Sequence, residues 1–130
     1  MTHRTVHTRW TGGMRAVTDA AGFEIVVDEP EAHGGSDSGP QPTDVLLASV
    51  GSCIALSMAF VARRREVDLL GLEVTVTGTY DGLEFERIAV TISSRTAPEV
   101  LERLIPEAER VCYVSNTLRR RPELVVHLAE

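Results

Sequence analysis

The chain has 130 residues, enough for one domain with a core of its own. Its 43% hydrophobic and 25% charged content excludes a disordered polymer. A net charge of −6 leaves no general basic surface for a polyanion, so no nucleic-acid partner is expected.

His3 to Thr11 alternates weakly, with Val6 and Trp10 among polar residues, and reads as a strand. Gly12-Gly13 is a turn signal, and Met14 to Val17 is expected to return as a second strand. Gly22 to Asp28 (GFEIVVD) is a third, rich in β-branched residues. Residues 1 to 12 hold no apolar stretch of the secretory kind, and two cysteines are too few for a disulfide scaffold. A cytoplasmic location is therefore the expectation. Residues 29–42 (EPEAHGGSDSGPQP) have no apolar period and read as a long loop inside the domain, the kind that is often functional.

The uncharged run Val45–Ala62 follows, ending at Arg63, Arg64 and Arg65. Thr43 or Asp44 is suited to cap its N-terminus, and the arginines suit the negative end of the macrodipole. A helix from Asp44 to Arg64 would be about 31 Å long, enough to cross a small domain or a bilayer. Ser49, Gly51, Ser52, Ser57 and the alanines dilute its hydrophobicity and permit close backbone approach. A helix buried inside a globule or a dimer is therefore favoured, and no membrane partner is expected.

Gly71–Tyr80 alternates Leu72, Val74 and Val76 against polar residues, Asp81-Gly82 supplies a turn, and Phe85–Ser93 returns with Ile88, Val90 and Ile92 on one face. Ala97–Val111 carries Val100, Leu101, Leu104, Ile105 and Ala108 at helical spacing. Pro98 suits its first turn, whereas Pro106 should kink or divide it. Cys112 precedes a short polar helical stretch, VSNTLRRR, and Glu123–Leu128 (ELVVHL) is expected to close the chain as a strand. Strands, one buried helix and an amphipathic helix make a single α+β domain over residues 1–130.

Composition alone makes either cysteine a small buried hydrophobe. No C-x-x-C is present, and His3 and His7 lie in a strand-like segment, so no metal site is expected. Ser49 and Ser52 sit in no G-x-S-x-G elbow, and no phosphate-binding glycine loop occurs. The cluster Arg119, Arg120, Arg121 reads as a solvated helix end.

The motifs D-E-P (28–30), G-G (34–35), G-P-x-P-x-D-x-L-L-A-S-x-G-S-C (39–53) and C-x-V-S-N-T-L (112–118) together resemble the OsmC/Ohr family of thiol-dependent hydroperoxide reductases. The resemblance implies an α+β homodimer, with antiparallel sheets wrapped around central buried helices and sites at the subunit interface. It implies that Cys53 is the peroxidatic cysteine and Cys112 the resolving one. Asp44 falls where some members carry a glutamate, others placing it at the position of Thr43. Arg15, in T-G-G-M-R, is the nearest match to the family arginine, displaced by one position, and Tyr113 replaces a common proline.

On this reading a thiolate at Cys53 attacks the O–O bond of an organic hydroperoxide, releasing an alcohol and leaving a sulfenic acid. Cys112 condenses with the sulfenic acid to a disulfide, which an external dithiol, on the resemblance a dihydrolipoyl protein, reduces. No other cofactor is implied. A guanidinium favours the thiolate and a carboxylate holds the guanidinium. Asp44 and Cys53 are about 900° apart around one helix, half a turn out of phase, so a carboxylate at the thiol is expected from the partner subunit or through a long arginine. Two other readings stay open: a domain of this kind that binds a small apolar ligand without efficient peroxidase activity, and a structural dimer with reduced buried cysteines.

Overall fold

The computed structural model describes residues 3–129. They form two compact units, one up to Leu46 and the other from Leu47 onward. The first holds a three-stranded antiparallel sheet, β1 (His7–Trp10), β2 (Ala16–Ala20) and β3 (Phe23–Val27), in the order β1-β2-β3. The register pairs Trp10 with Ala16 and Ala16 with Val27. Strand β2 begins later than the alternation predicts, because Thr11 to Arg15 make the turn. Thr11 N–H bonds the Arg15 carbonyl (3.0 Å) and Arg15 N–H bonds the Gly12 carbonyl (3.1 Å). Gly12 and Gly13 both have positive φ, a conformation glycine adopts without strain.

The loop after β3, which includes a 3₁₀ turn at Glu31–His33, is wound around Asp28. That side chain is almost fully buried, and its carboxylate accepts the N–H groups of Glu29 (2.7 Å), Ser36 (3.3 Å) and Ser38 (3.1 Å) and the Ser38 hydroxyl (2.6 Å). Glycine is required along this path. A Cβ at Gly35 would stand 1.8 Å from the Glu29 carbonyl oxygen, and one at Gly39 would stand 2.5 Å from that of Val26.

Helix α1 runs from Pro42 to Arg64, two residues earlier than the expected start at Asp44. Proline at the first helical position costs no hydrogen bond, so the predicted caps, Thr43 and Asp44, lie inside the first turn. Asp44 Oδ2 instead reaches back to the Gln41 N–H at 3.0 Å, as the acidic member of a capping box does.

In the second unit α1 buries one stripe, Val50, Ile54, Ser57, Met58, Val61 and Ala62. The rest of this unit is β4 (Glu73–Asp81), β5 (Glu84–Ser93), α2 (Pro98–Val111) and α3 (Tyr113–Arg120). Ile54, Met58, Val61 and Ala62 form one core with Leu104 and Ala108 of α2 and with Cys112, against which Val74 and Ile92 of the hairpin also pack. Small Gly51 faces β4: a Cβ there would come within 3.1 Å of Val76. The far side of α1 stays open, and Leu56 is 70% exposed. The uncharged run is long and apolar enough to cross a membrane by length and composition; here its inner stripe is the core of this unit.

Pro106 does not divide α2: the helix is continuous from Pro98 to Val111. Both Pro106 and Glu102 lie on the exposed side, so the Glu102 carbonyl, which loses its usual i+4 donor to the proline, is not buried. The expected closing strand Glu123–Leu128 does not form. Among the described residues no strand of this chain pairs with it, and an unpaired strand leaves its backbone groups without partners.

Candidate active site

Cys53 sits on the flank of α1, between the buried stripe and the open side, and Cys112 stands at the junction of α2 and α3. The α1–α2 core brings them together: the two sulfurs are 3.1 Å apart, the Cys112 thiol donating to Cys53 Sγ. Both are free thiols, since a disulfide would be about 2.05 Å. Cys112 has no exposed surface, whereas Cys53 is half-buried and opens on a groove of about 740 Å³.

Helical spacing builds one wall of this groove. Cys53, Ser57, Phe60 and Arg64 recur at three- and four-residue steps along a single face of α1, with Leu56 beside them. The opposite wall is Arg110, Val111, Tyr113 and Asn116 from the α2–α3 junction. Arg64 lies over the Phe60 ring, its guanidinium carbon 5.4 Å from the centroid. The result is an apolar groove with two cations and the Cys53 thiol on its walls.

The two thiols differ in acidity. Burial pushes Cys53 up, and the neighbouring Cys112 adds to this against the Val114 N–H and the Ser57 hydroxyl. Burial also opposes ionisation of Cys112. There it is outweighed by the Ser115 hydroxyl, the Cys53 thiol and the N–H groups of Ser115 and Val114, and the net direction is down. The cause is local: Cys112 is the N-cap residue of α3, and although its side chain makes no cap hydrogen bond, its sulfur lies beside the first-turn donors of Val114 and Ser115.

The other two expected site residues belong to the first unit and have partners there. Arg15 closes the β1–β2 turn, its guanidinium donating to the Thr11 hydroxyl at 3.0 Å. Because it lies in the turn, the alternation of sheet faces that a one-residue displacement would invoke does not apply to it. Asp44 serves the N-terminus of α1. Ser57, Arg64, Arg110 and Ser115 were not singled out from the sequence. Ser57 and Arg64 had a signal there, their helical spacing from Cys53, and Ser115 had one in the C-x-x-S step at the start of a helix.

The family model for OsmC-like protein matches residues 34–127, a span that includes both thiols and, from Gly34 onward, the loop held by Asp28. The chain belongs to the OsmC-like family. Solved structures share this fold over almost the whole length. The OsmC-like protein of Mycoplasma pneumoniae is 17% identical over 91% of this chain and 88% of its own, with a TM-score of 0.72. An organic hydroperoxide resistance protein OsmC from Legionella pneumophila is 17% identical, covering 92% and 90%, with a TM-score of 0.67. The organic hydroperoxide resistance protein OhrB of Bacillus subtilis is 20% identical, covering 92% and 93%, with a TM-score of 0.64. No curated protein matches the chain in sequence. The α+β architecture with two antiparallel sheets is thus the OsmC-like fold.

Proposed function

We propose that this OsmC-like protein, as a single domain, is a thiol peroxidase that reduces organic hydroperoxides to alcohols. The observation that carries the reading is a pair of free thiols 3.1 Å apart, of which Cys53 lines an apolar groove. Cys53, the sulfur that meets the groove, is the attacking group. Its thiolate displaces the alkoxide from ROOH, which leaves as ROH, and the sulfur keeps the hydroxyl as a sulfenic acid. Cys112 then attacks that sulfur, a disulfide forms, and water leaves. A dithiol, of the dihydrolipoyl kind, returns two electrons.

A thiol pushed up by burial needs a nearby cation to react at neutral pH. We assign this to Arg15, held by Asp44, with the carboxylate or the arginine supplied across a homodimer interface in the cytoplasm. Leu56, 70% exposed on the open side of α1, supports such an interface. Treatment with cumene hydroperoxide followed by intact mass is the test. Loss of two hydrogens per chain, abolished by Cys53→Ser, is the expected result; thiols unchanged under excess peroxide overturn it. A second reading, binding of a small apolar ligand without efficient peroxidase activity, is favoured by the raised Cys53 thiol and would give that unchanged mass.

A further inference from the structure

The two sulfurs are unequal in ways that concern the disulfide rather than the peroxide. Cys53 meets the groove and Cys112 has no exposed surface, so a dissolved thiol has a path to one sulfur only. Thiol–disulfide exchange is in-line: the incoming sulfur, the sulfur attacked and the leaving sulfur are collinear, and the better leaving group is the more acidic thiol. Approach along the groove to Cys53 expels Cys112 away from solvent, to the N-cap of α3, which has eight residues. The first-turn N–H groups of Val114 and Ser115 and the Ser115 hydroxyl await negative charge there, and Ser115 Oγ is already tethered to the Cys112 carbonyl at 3.4 Å. The charged groups of the helix ends that meet at Cys112 are Glu109 and Arg110 of α2, and Glu109 is paired at 2.9 Å with Arg119 from the far end of α3.

We infer that the reductant attacks Cys53, that Cys112 departs as the thiolate, and that Ser115 is a positioning residue for that departure. This rests on the proposed formation of a Cys53–Cys112 disulfide. In the step a reductant thiolate forms a sulfur–sulfur bond to Cys53 while the Cys53–Cys112 bond breaks, and the electron pair of that bond leaves on Cys112. The second thiol of the dithiol then attacks its own linked sulfur, closing a cyclic disulfide and releasing Cys53. The two protons of the dithiol end on the two cysteines. The dithiol is oxidised by two electrons and the protein disulfide is reduced.

The test begins with full-length protein oxidised by diamide, so that the disulfide is made without any hydroperoxide. Brief exposure to 2-mercaptoethanol, acid quench, maleimide labelling and peptide mapping then locate the adduct. Mercaptoethanol on Cys53 and maleimide on Cys112, in at least roughly tenfold excess over the reverse, is expected. Adduct on Cys112, an even split, or failure of diamide to bridge the pair overturns the inference. If diamide bridges the pair but cumene hydroperoxide does not, the peroxidase reading fails while the order of attack is still measured. For Ser115, the ultraviolet thiolate absorbance of Cys53→Ser protein is followed across pH. Ser115→Ala should move the Cys112 midpoint upward and Ser115→Thr should restore it; an unmoved midpoint removes Ser115 from this assignment.

Discussion

Asp28 is the residue that most clearly converts sequence into shape. The Ser38 hydroxyl and N–H, then the Glu29 and Ser36 N–H groups, hold its carboxyl down at about 2, against 3.8 for the free side chain. A depressed carboxyl stabilises the fold above its unfolded value and loses that contribution as pH falls through the folded one. Asp28→Asn is therefore expected to lower the thermal midpoint at pH 7, with the gap from the native protein closing as pH approaches 2. Equal midpoints at pH 7 would show that the loop does not depend on the anion. The same residue shows what a linear reading can miss. D-E-P is visible at 28–30, but Ser36 and Ser38 become its partners only because Gly35 and Gly39 let the loop pass close to two carbonyls. Cys53 and Cys112 lie in separate elements, so only the family resemblance joined them beforehand; Ser57 and Arg64 stood in plain view at helical spacing. For Arg15, substitution by alanine should reduce kcat/KM for cumene hydroperoxide by about a hundredfold or more, the scale of losing one charge-stabilising donor. Steady-state kinetics of Arg15→Ala beside Arg64→Ala decides which cation serves the thiol.

At the scale of elements, the β4–β5 hairpin carries a detail that alternation does not predict. A bulge between Thr79 and Tyr80 brings Tyr80 opposite Phe85, their ring centroids 4.6 Å apart, and shifts the parity of the last residues of the pair. Phe85 thereby lies over Gly78, where an added Cβ would stand 2.6 Å from the ring. Gly78→Ala is expected to cost about 1–3 kcal/mol through overpacking, with part of it recovered by adding Phe85→Leu. Urea denaturation of the two variants measures both. Helix α2 and strands β3 and β5 are legible in the sequence to within one residue at each end, because their apolar signal is spread over many residues. Leu104, 1% exposed on α2, lies in the same core as Cys112. Leu104→Ala should cost about 2–5 kcal/mol by urea denaturation, the range for a leucine removed from a closed core. Short β1 and the turn that follows it are governed by a few backbone hydrogen bonds, which explains why their limits moved.

At the scale of the whole molecule, the closing segment is where sequence and structure part most clearly. ELVVHL has the composition of a strand, yet among the described residues it pairs with no strand, and Leu124, Val126 and Leu128 are each about nine-tenths exposed. A strand is a property of two segments, so composition foretells its readiness and never its partner. Leu56 on α1 is left uncovered in the same way. Contiguous exposed apolar patches mark interaction surfaces, and the proposed homodimer would cover these side chains. Native mass spectrometry should then show a species of twice 14.2 kDa. Val126→Asp tests whether the closing segment belongs to the interface, since a charge there would have to be desolvated on pairing. The expected outcome is a concentration-dependent shift toward monomer, accompanied by loss of peroxidase activity if the carboxylate or the arginine at Cys53 comes from the partner. A fully active monomer would remove the cross-subunit site and leave Arg64 and Arg110, already on the groove, as the cations available to the thiol.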